Sequence, residues 1–388
     1  MQPDSRTLRG RWTRRDFVRG AAGMVASQQL QQSLAATQVR QSAFAYVACG
    51  EGSLHVFSLR DQVWSRIQRV PSRAPACILL SPAQRTLYVA NEVDVHEGLP
   101  RGAVEAFNID PGDGRLTLLG RQPLSLSATH PRHMALSPNG KLLAVAAYGG
   151  GLYNLLPIAE DGSIGRPSSI YKEAGCGRHA QLQASAHPHT LLFDPTGRHL
   201  LSSDFGSDRL SVFAVEDSRL RRRMQQFAGE GSGPGACALH HAGTTFYAWH
   251  ELENTLACYR YDAVSGSVGE RIQRLSFPGS AGGAPSSHAL ALHPSGRMLY
   301  TTQATRNQLS GWRIDVESGM LSRAQHILLG EVTPTRITAA PDGKSVFVLD
   351  GVRGSISRVT ADPTTGDLGR KAKVALVHEP RSMALKTI

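Results

Sequence analysis

The sequence has few cysteines and no long apolar run. Only five of its 388 residues are cysteine, and their number is odd. No two of them form a Cys-x-x-Cys pair, so the spacings typical of zinc sites are absent and no disulfide pairing is indicated. No uninterrupted apolar stretch reaches the roughly 18 residues of a membrane-spanning helix. We therefore expect no metal, no other cofactor and no membrane insertion.

The chain also lacks a concentrated block of positive charge. Its formal net charge is +11, but the only tight basic cluster is Arg221-Arg222-Arg223, which a solvated loop explains. Nucleic-acid-binding proteins gather Lys and Arg on one face or in one run. We therefore expect no nucleic-acid partner, and we expect a monomer.

Residues 1–36 have the parts of an export signal. Thr13-Arg14-Arg15-Asp16-Phe17 resembles a twin-arginine motif, and a weakly apolar segment and small residues near Ala36 follow it. A basic region, an apolar region and a small-residue cleavage site are the parts of such signals. We expect export, to the periplasm, with this segment cleaved or disordered. The alternative is a disordered basic tail on a cytoplasmic protein.

A repeat runs through the rest of the chain. In each copy a second proline, or a substitute for it, follows seven positions after the first residue, and glycine usually comes two residues later. The steps between copies are 46 to 57 residues. The copies begin at Pro75, Pro131, Pro188, Pro234, Ser287, Pro334 and Pro380.

Each copy predicts one blade of a β-propeller. Two apolar strands flank a Pro-x-Gly turn, and a third and a fourth strand follow, which is typical of four-stranded propeller blades. The seventh copy contains only its first strand before the chain ends, whereas residues 43–70 supply three unmatched strands. We predict one all-β domain over residues 43–388, a seven-bladed propeller closed by pairing residues 381–388 with residues 43–70.

This fold predicts where polar side chains collect. The first strand of a blade lines the central channel, and its start lies beside the end of the antiparallel second strand. Titratable residues from several blades should therefore meet at one mouth of the channel, where they would bind a small anionic or lactone ligand. The candidates are His187, His189, Glu251, Arg132, His133, Tyr148, Asn91, Glu92, Asp204, His288, Arg336 and Arg381.

Simpler explanations of some of these residues stay open. Polar residues in a propeller channel can simply be hydrated. His187 and His189 lie on one face of a strand and would permit metal chelation, although no partner carboxylate is identified. Asp208-Arg209 fits a structural turn better than a catalytic pair, because aspartate is common in turns.

Several segments resemble the seven-bladed lactonase family, which includes propeller-type 6-phosphogluconolactonases and the fungal carboxymuconate cyclase. They are "HPHTLLFDPTGRHL" with "DFGSDRLSVF", "LYVANE", "YGGG" and "HELENTL". The resemblance covers residues 43–388 and implies the propeller fold. It implies a catalytic histidine at His189 or His187 and a catalytic glutamate at Glu251. The family's two arginine positions correspond to Gly235 and Ala304.

Three functions remain in view. The first is hydrolysis of a sugar-acid-type lactone, with His189 or Glu251 as the general base. The second is a binding or scaffold propeller without chemistry, which the two vacant arginine positions favour. The third is a lactonising isomerase of unsaturated dicarboxylates, which would need strong anion clamps. Export would make a phosphorylated metabolic intermediate an unexpected substrate.

Overall fold

The computed structural model describes residues 43–60, 63–277 and 289–387, and these residues form a seven-bladed β-propeller. Twenty-eight strands pair as seven four-stranded antiparallel sheets. We number the blades one to seven from the copies beginning at Pro75 to the copy beginning at Pro380. The predicted fold is confirmed. Residues 1–36, which contain the predicted export signal, lie outside the described residues, as does His288.

The strands follow the order of the repeat, and a short 3₁₀ helix at Ala304–Arg306 follows the second strand of blade five. Blade one contains β4 (Pro75–Leu80), β5 (Thr86–Asn91), β6 (Ala103–Ile109) and β7 (Leu116–Pro123). Blade two contains β8 (Pro131–Leu136), β9 (Leu142–Ala147), β10 (Leu152–Pro157) and β11 (Ser169–Lys172). Blade three contains β12 (Pro188–Phe193), β13 (His199–Asp204), β14 (Arg209–Glu216) and β15 (Arg219–Phe227).

The remaining blades repeat this arrangement. Blade four contains β16 (Pro234–Leu239), β17 (Thr245–His250), β18 (Thr255–Asp262) and β19 (Ser267–Ser276). Blade five contains β20 (Leu290–Leu292), β21 (Met298–Gln303), β22 (Gln308–Ile314) and β23 (Leu321–Leu328). Blade six contains β24 (Arg336–Ala339), β25 (Ser345–Asp350), β26 (Ser355–Ala361) and β27 (Leu368–Leu376). Blade seven contains β28 (Pro380–Lys386), β1 (Ala43–Cys49), β2 (Ser53–Arg60) and β3 (Val63–Pro71).

Blade seven joins the two ends of the propeller domain. β28 pairs antiparallel with β1, from Phe44 opposite Lys386 to Cys49 opposite Pro380. The side chains of Met383 and Leu385 are buried in the core between blades six and seven. The predicted closure is therefore confirmed, and it leaves β1 without an exposed edge.

The core is divided among the interfaces between adjacent blades, because both faces of each sheet are covered. Buried tyrosines of the second strands, or of β1 in blade seven, join neighbouring blades through their hydroxyl groups. Tyr46, Tyr88, Tyr247 and Tyr300 each donate a hydrogen bond to a glycine carbonyl of the following blade, at 2.5 to 3.2 Å. A buried phenol needs such an acceptor, so these bonds help to fix each blade against the next.

The Pro-x-Gly turns lie between the first and second strands, at the end of the blades away from the strand starts. Their glycines adopt left-handed backbone, as at Gly197 with φ of 70°, which glycine tolerates without steric cost. Four cysteines are buried and Cys176 is exposed, and all five are free thiols. No helix among the described residues is long and apolar enough to cross a membrane.

Candidate functional site

A β-bulge directly after the repeat proline aims side chains into the mouth of the channel. In blade three, Pro188 pairs with Asp204 and Thr190 with Ser203, which leaves His189 unpaired between them. The same shift leaves Arg132 unpaired in blade two and Arg381 in blade seven. Bulges re-aim side chains and are common beside active sites, so this feature explains why these positions carry the titratable groups.

The second half of the mouth comes from the residues that follow the second strands. Glu92, Tyr148 and Glu251 occupy this position in blades one, two and four. Each backbone N–H donates to a carbonyl of the segment before the blade's first strand, at 2.8 to 3.0 Å. This bond holds the end of the second strand against the start of the first, as the antiparallel geometry predicts.

Residues of both sets, but not Tyr148, line a cavity of about 390 Å³ at the channel mouth. That volume is within the range of small-molecule sites. The lining residues are Ala76, Glu92, Arg132, His189, Glu251, Thr335, Arg336, Gly351, Val352, Glu379, Pro380 and Arg381. The predicted candidates Glu92, Arg132, His189, Glu251, Arg336 and Arg381 therefore do meet in one place.

His189 and Glu251 form the central pair of this cavity. The His189 Nε2 atom lies 3.4 Å from Glu251 Oε1, and the two side chains are 18% and 11% exposed. The other ring nitrogen, Nδ1, lies 3.1 Å from the hydroxyl of Thr190. The ring thus accepts at Nδ1 from the Thr190 hydroxyl, and its hydrogen-bonded backbone partner is Gly235, so Nε2 lies beside the Glu251 carboxyl group without a hydrogen bond to it.

Burial shifts the two groups in opposite directions. Desolvation raises the pKa of Glu251 to about 7, although the positive charges of Arg336 and Arg132 oppose the shift. Desolvation also lowers the pKa of His189 to about 3, and Arg336, His133 and Arg132 contribute to this lowering. At neutral pH the imidazole is therefore uncharged, and Glu251 is the group that can take up and release a proton.

Arg336 supplies positive charge beside this pair. It begins β24 in blade six and faces the mouth cavity. Among the described residues its guanidinium has no hydrogen-bonded or ion-paired carboxylate, whereas Arg132 and Arg381 are both paired. Arg336 is thus the guanidinium best placed to receive a negatively charged oxygen from a ligand.

The Tyr148 ring contacts both the His187 imidazole and the Arg132 guanidinium group. The His187 ring stacks on Tyr148 at 4.6 Å and 10°, and its Nδ1 lies 3.0 Å from the Tyr148 carbonyl oxygen. On the tyrosine ring, the Arg132 guanidinium carbon lies 4.1 Å from the ring centre. Neither His187 nor Tyr148 lines the mouth cavity, so both predicted candidates support Arg132 from outside it.

Two predicted candidates point away from the cavity because they end the second strands. Asn91 donates to Ser72, to the Arg73 carbonyl and to the buried Glu105. Asp204 accepts from the backbone N–H groups of His187 and Ser207, and burial raises its pKa to about 6. Both side chains organise backbone behind the mouth, and neither lines the cavity.

His133 lies deeper in the channel. Its Nδ1 accepts from the backbone N–H of Leu191 at 3.2 Å, and desolvation lowers its pKa to about 3. It lines a second cavity of about 150 Å³. It is therefore a neutral residue below the mouth, rather than a cation at it. No group of three His, Cys, Asp or Glu side chains among the described residues could hold a metal ion.

Sequence analysis missed one charged residue of the mouth. Glu379 lines the cavity and accepts two hydrogen bonds from Arg381, at 3.0 Å from Nε and 2.6 Å from the terminal nitrogen. The repeat could have identified Glu379, because this residue immediately precedes the repeat proline of blade seven. His187 occupies the same repeat position in blade three and is one of the predicted site residues.

With the geometry in place, comparison with known proteins decides the family. A family model described as "Lactonase, 7-bladed beta-propeller" matches residues 45–385. The chain belongs to the seven-bladed β-propeller lactonase family. A 6-phosphogluconolactonase of Pectobacterium atrosepticum is 26% identical over 350 residues, which are 88% of this chain and 97% of that protein. The Bacillus subtilis 6-phosphogluconolactonase is 24% identical over 268 residues, 69% of this chain and 72% of that protein.

Solved structures show the same fold. The periplasmic gluconolactonase of Pseudomonas aeruginosa superimposes with a TM-score of 0.78 at 23% identity, covering 89% of this lactonase-family chain and 99% of that chain. A protein from Lactobacillus plantarum superimposes with a TM-score of 0.77 at 21% identity, covering 89% and 99%. At these identities the likeness establishes the fold alone.

The two arginine positions inferred from the family resemblance are vacant in this lactonase-family chain. At Gly235, an added Cβ would lie 2.1 Å from Glu251 Oε1, so the Glu251 carboxyl group occupies the space that a side chain would need. Ala304 begins the short 3₁₀ helix after β21. The guanidinium groups at the mouth come instead from blades two, six and seven.

Proposed function

We propose that this chain is a lactone hydrolase that opens the ring of a sugar-acid-type lactone at the mouth of the propeller channel. Membership of the lactonase family and the names of its relatives support the reaction class. The observation that carries the proposal is the His189–Glu251 pair with Arg336 beside it, which has no carboxylate partner among the described residues. A base, a residue that orients it and a cation for an oxyanion are the parts that ester hydrolysis needs.

The residues divide the reaction as follows. The Glu251 carboxylate removes a proton from a water molecule, and the resulting hydroxide adds to the lactone carbonyl carbon. Arg336 stabilises the negative charge that develops on the carbonyl oxygen. When the tetrahedral intermediate collapses, the bond to the ring oxygen breaks and Glu251 returns its proton to that oxygen. His189 packs against the carboxylate, with Nε2 3.4 Å from Oε1, and restricts its position, so it is a positioning residue.

A panel of lactones tests the reaction. The full chain should hydrolyse aldono-1,5-lactones or aldono-1,4-lactones faster than the buffer does, measured by acid release at constant pH. Thermal shift with aldonic and dicarboxylic acids should be recorded beside it. Binding of these acids without hydrolysis would instead indicate a binding propeller, which the vacant positions Gly235 and Ala304 favour. Ring closure of an unsaturated dicarboxylate would indicate the isomerase.

We also infer export through the twin-arginine pathway. The support is the motif at Arg14-Arg15 and the likeness to a Pseudomonas protein that is named periplasmic. Replacing both arginines with lysine keeps the charge but removes the paired guanidinium groups. The variant should stay in the cytoplasm, whereas the unaltered chain should reach the periplasm, as measured by fractionation and immunoblotting. Equal export of both chains would contradict this inference.

A further inference from the structure

The charged side chains of the mouth cavity nearly cancel one another. Three guanidinium groups and three carboxyl groups line it. They are Arg132, Arg336, Arg381, Glu92, Glu251 and Glu379. His189 adds no positive charge, because burial keeps its imidazole neutral at physiological pH. The formal sum is therefore zero with Glu251 ionised, and +1 with Glu251 protonated.

Most of this positive charge is already engaged within the protein. Glu92 lies between two guanidinium groups: one carboxylate oxygen is 2.5 Å from Arg132 Nε and the other is 3.5 Å from a terminal nitrogen of Arg381. Arg381 also contacts Glu379 at 2.6 Å. The Glu92 side chain is 17% exposed, whereas those of Arg132, Arg381 and Glu379 are 43%, 33% and 38% exposed, so solvent partly screens these pairs.

This arrangement determines what charge a ligand can bring. We propose that the site selects uncharged, polyhydroxylated lactones and discriminates against phosphorylated or carboxylated ones, with Glu92 and Glu379 as the specificity-determining residues. The inference rests on the proposed hydrolase function and names its substrate class. A phosphate monoester brings a charge of about −1.5 to −2, and of the described guanidinium groups that line the cavity only Arg336 lacks a carboxylate partner. The same phosphate would also approach two carboxylates.

An uncharged lactone fits the same groups. Only one negative charge develops during ring opening, on the carbonyl oxygen, and Arg336 is available for it. The carboxylates of Glu92 and Glu379 can accept hydrogen bonds from hydroxyl groups of the ligand. The mouth thus offers one cation for the reacting centre and acceptors for the rest of a sugar lactone.

The test compares two probes on the full chain. Glucono-1,5-lactone and its 6-phosphate ester differ only in the phosphate, so the ratio of their kcat/KM values reports charge selection. We expect the unaltered chain to favour the uncharged lactone by at least about tenfold, since like charges placed together in a binding site cost several kcal/mol. Raised salt should reduce the ratio.

Single-residue variants test which carboxylates cause the preference for the uncharged lactone. Glu92→Gln is nearly isosteric and releases Arg132 from its carboxylate partner. It should lower the preference in kcat/KM for the uncharged lactone by about tenfold, because the ligand phosphate no longer meets the negative charge of Glu92. Glu379→Gln removes the nearer of the two carboxylates that contact Arg381, leaving Glu92 at 3.5 Å, and should lower the ratio by a smaller amount. Glu97→Gln is the matched control. It removes one negative charge from an exposed pair with Arg101 that does not line the mouth cavity, so it should leave the ratio unchanged.

The outcomes separate this inference from the proposed function. Equal or faster hydrolysis of the 6-phosphate ester by the unaltered chain would overturn the charge selection and leave the hydrolase intact. An unchanged ratio in both Glu92→Gln and Glu379→Gln would overturn their assigned role. If neither lactone is hydrolysed, the hydrolase proposal fails, and calorimetry with glucose and glucose 6-phosphate, which carry no carboxylate, then decides the selectivity. Tighter binding of the phosphate, or binding of neither, would overturn it.

Discussion

Replacing Glu251 with glutamine should lower kcat/KM for lactone hydrolysis by about 10²–10⁴-fold, which is the usual contribution of a general base. Glutamine keeps the size of the side chain and can still contact His189, but it cannot take a proton from water. Acid release by the purified variant, measured with the lactone that the unaltered chain hydrolyses best, checks the size of the loss.

The pH dependence gives the same prediction a second readout. Glu251 acts as a base only when it is ionised, and its pKa is raised to about 7. The kcat/KM of the unaltered chain should therefore rise with pH through about 7 and then level off. The residual activity of Glu251→Gln should lack this step. A rate that falls through pH 7 would contradict the assignment of Glu251 as the base.

Stability measurements distinguish lost chemistry from lost folding. The pKa of Glu251 is 4.5 in the reference state and about 7 in the folded protein. The unfolded chain thus releases this proton first, and the free energy of unfolding falls as pH rises between these values. Glu251→Gln removes this penalty, which is about 3 kcal/mol above pH 7. We expect a variant that unfolds at a higher temperature at pH 8 while being almost inactive.

His189 should behave differently from Glu251. His189→Ala removes the imidazole packed beside the carboxylate and should lower kcat, but the pH step should remain because Glu251 still carries the titrating proton. The step should move to lower pH, since water then reaches a carboxyl group whose pKa is raised by burial. If the step disappears with His189 and survives in Glu251→Gln, the two roles are reversed.

The fold could be predicted from the sequence because the repeat carries it. The proline or its substitute, the turn seven positions later and the apolar runs recur in blades one to six, and the incomplete seventh copy indicated the closure that β28 and β1 make. Antiparallel pairing then placed Glu92, Tyr148 and Glu251 at the mouth without any further information. These inferences needed only strand direction and order.

The detailed aim of the side chains could not be predicted in the same way. A strand alternates its side chains between two faces, so strict alternation does not explain how Arg132, His189 and Arg381 all turn into the mouth. The bulge after the repeat proline explains this direction, and no pattern in the sequence predicted the bulge. At the ends of the second strands, the sequence instead predicted site residues whose side chains do not line the cavity. Asn91 and Asp204 look like site residues, but their side chains satisfy buried backbone and polar groups.

Ending the chain at Glu379 should prevent folding, because β28 is the innermost strand of blade seven. The deletion exposes the edge of β1 along its length and removes Met383 and Leu385 from the core between blades six and seven. Each large apolar side chain lost from a core costs about 2–5 kcal/mol, and a domain is stable by only about 5–15 kcal/mol. We expect insoluble protein, or soluble protein without a cooperative thermal transition.

A rearranged chain supplies the matched control. Because Lys386 lies opposite Phe44, residues 380–387 can be placed before Ala43 through a two-residue Asn-Gly turn, which suits a tight hairpin. This chain contains the same strand in the same register but joins it to β1 covalently. Cooperative unfolding close to that of residues 43–388 would show that the deletion fails for want of this strand alone. If the deleted chain folds as well as the rearranged one, β28 does not close the ring in solution.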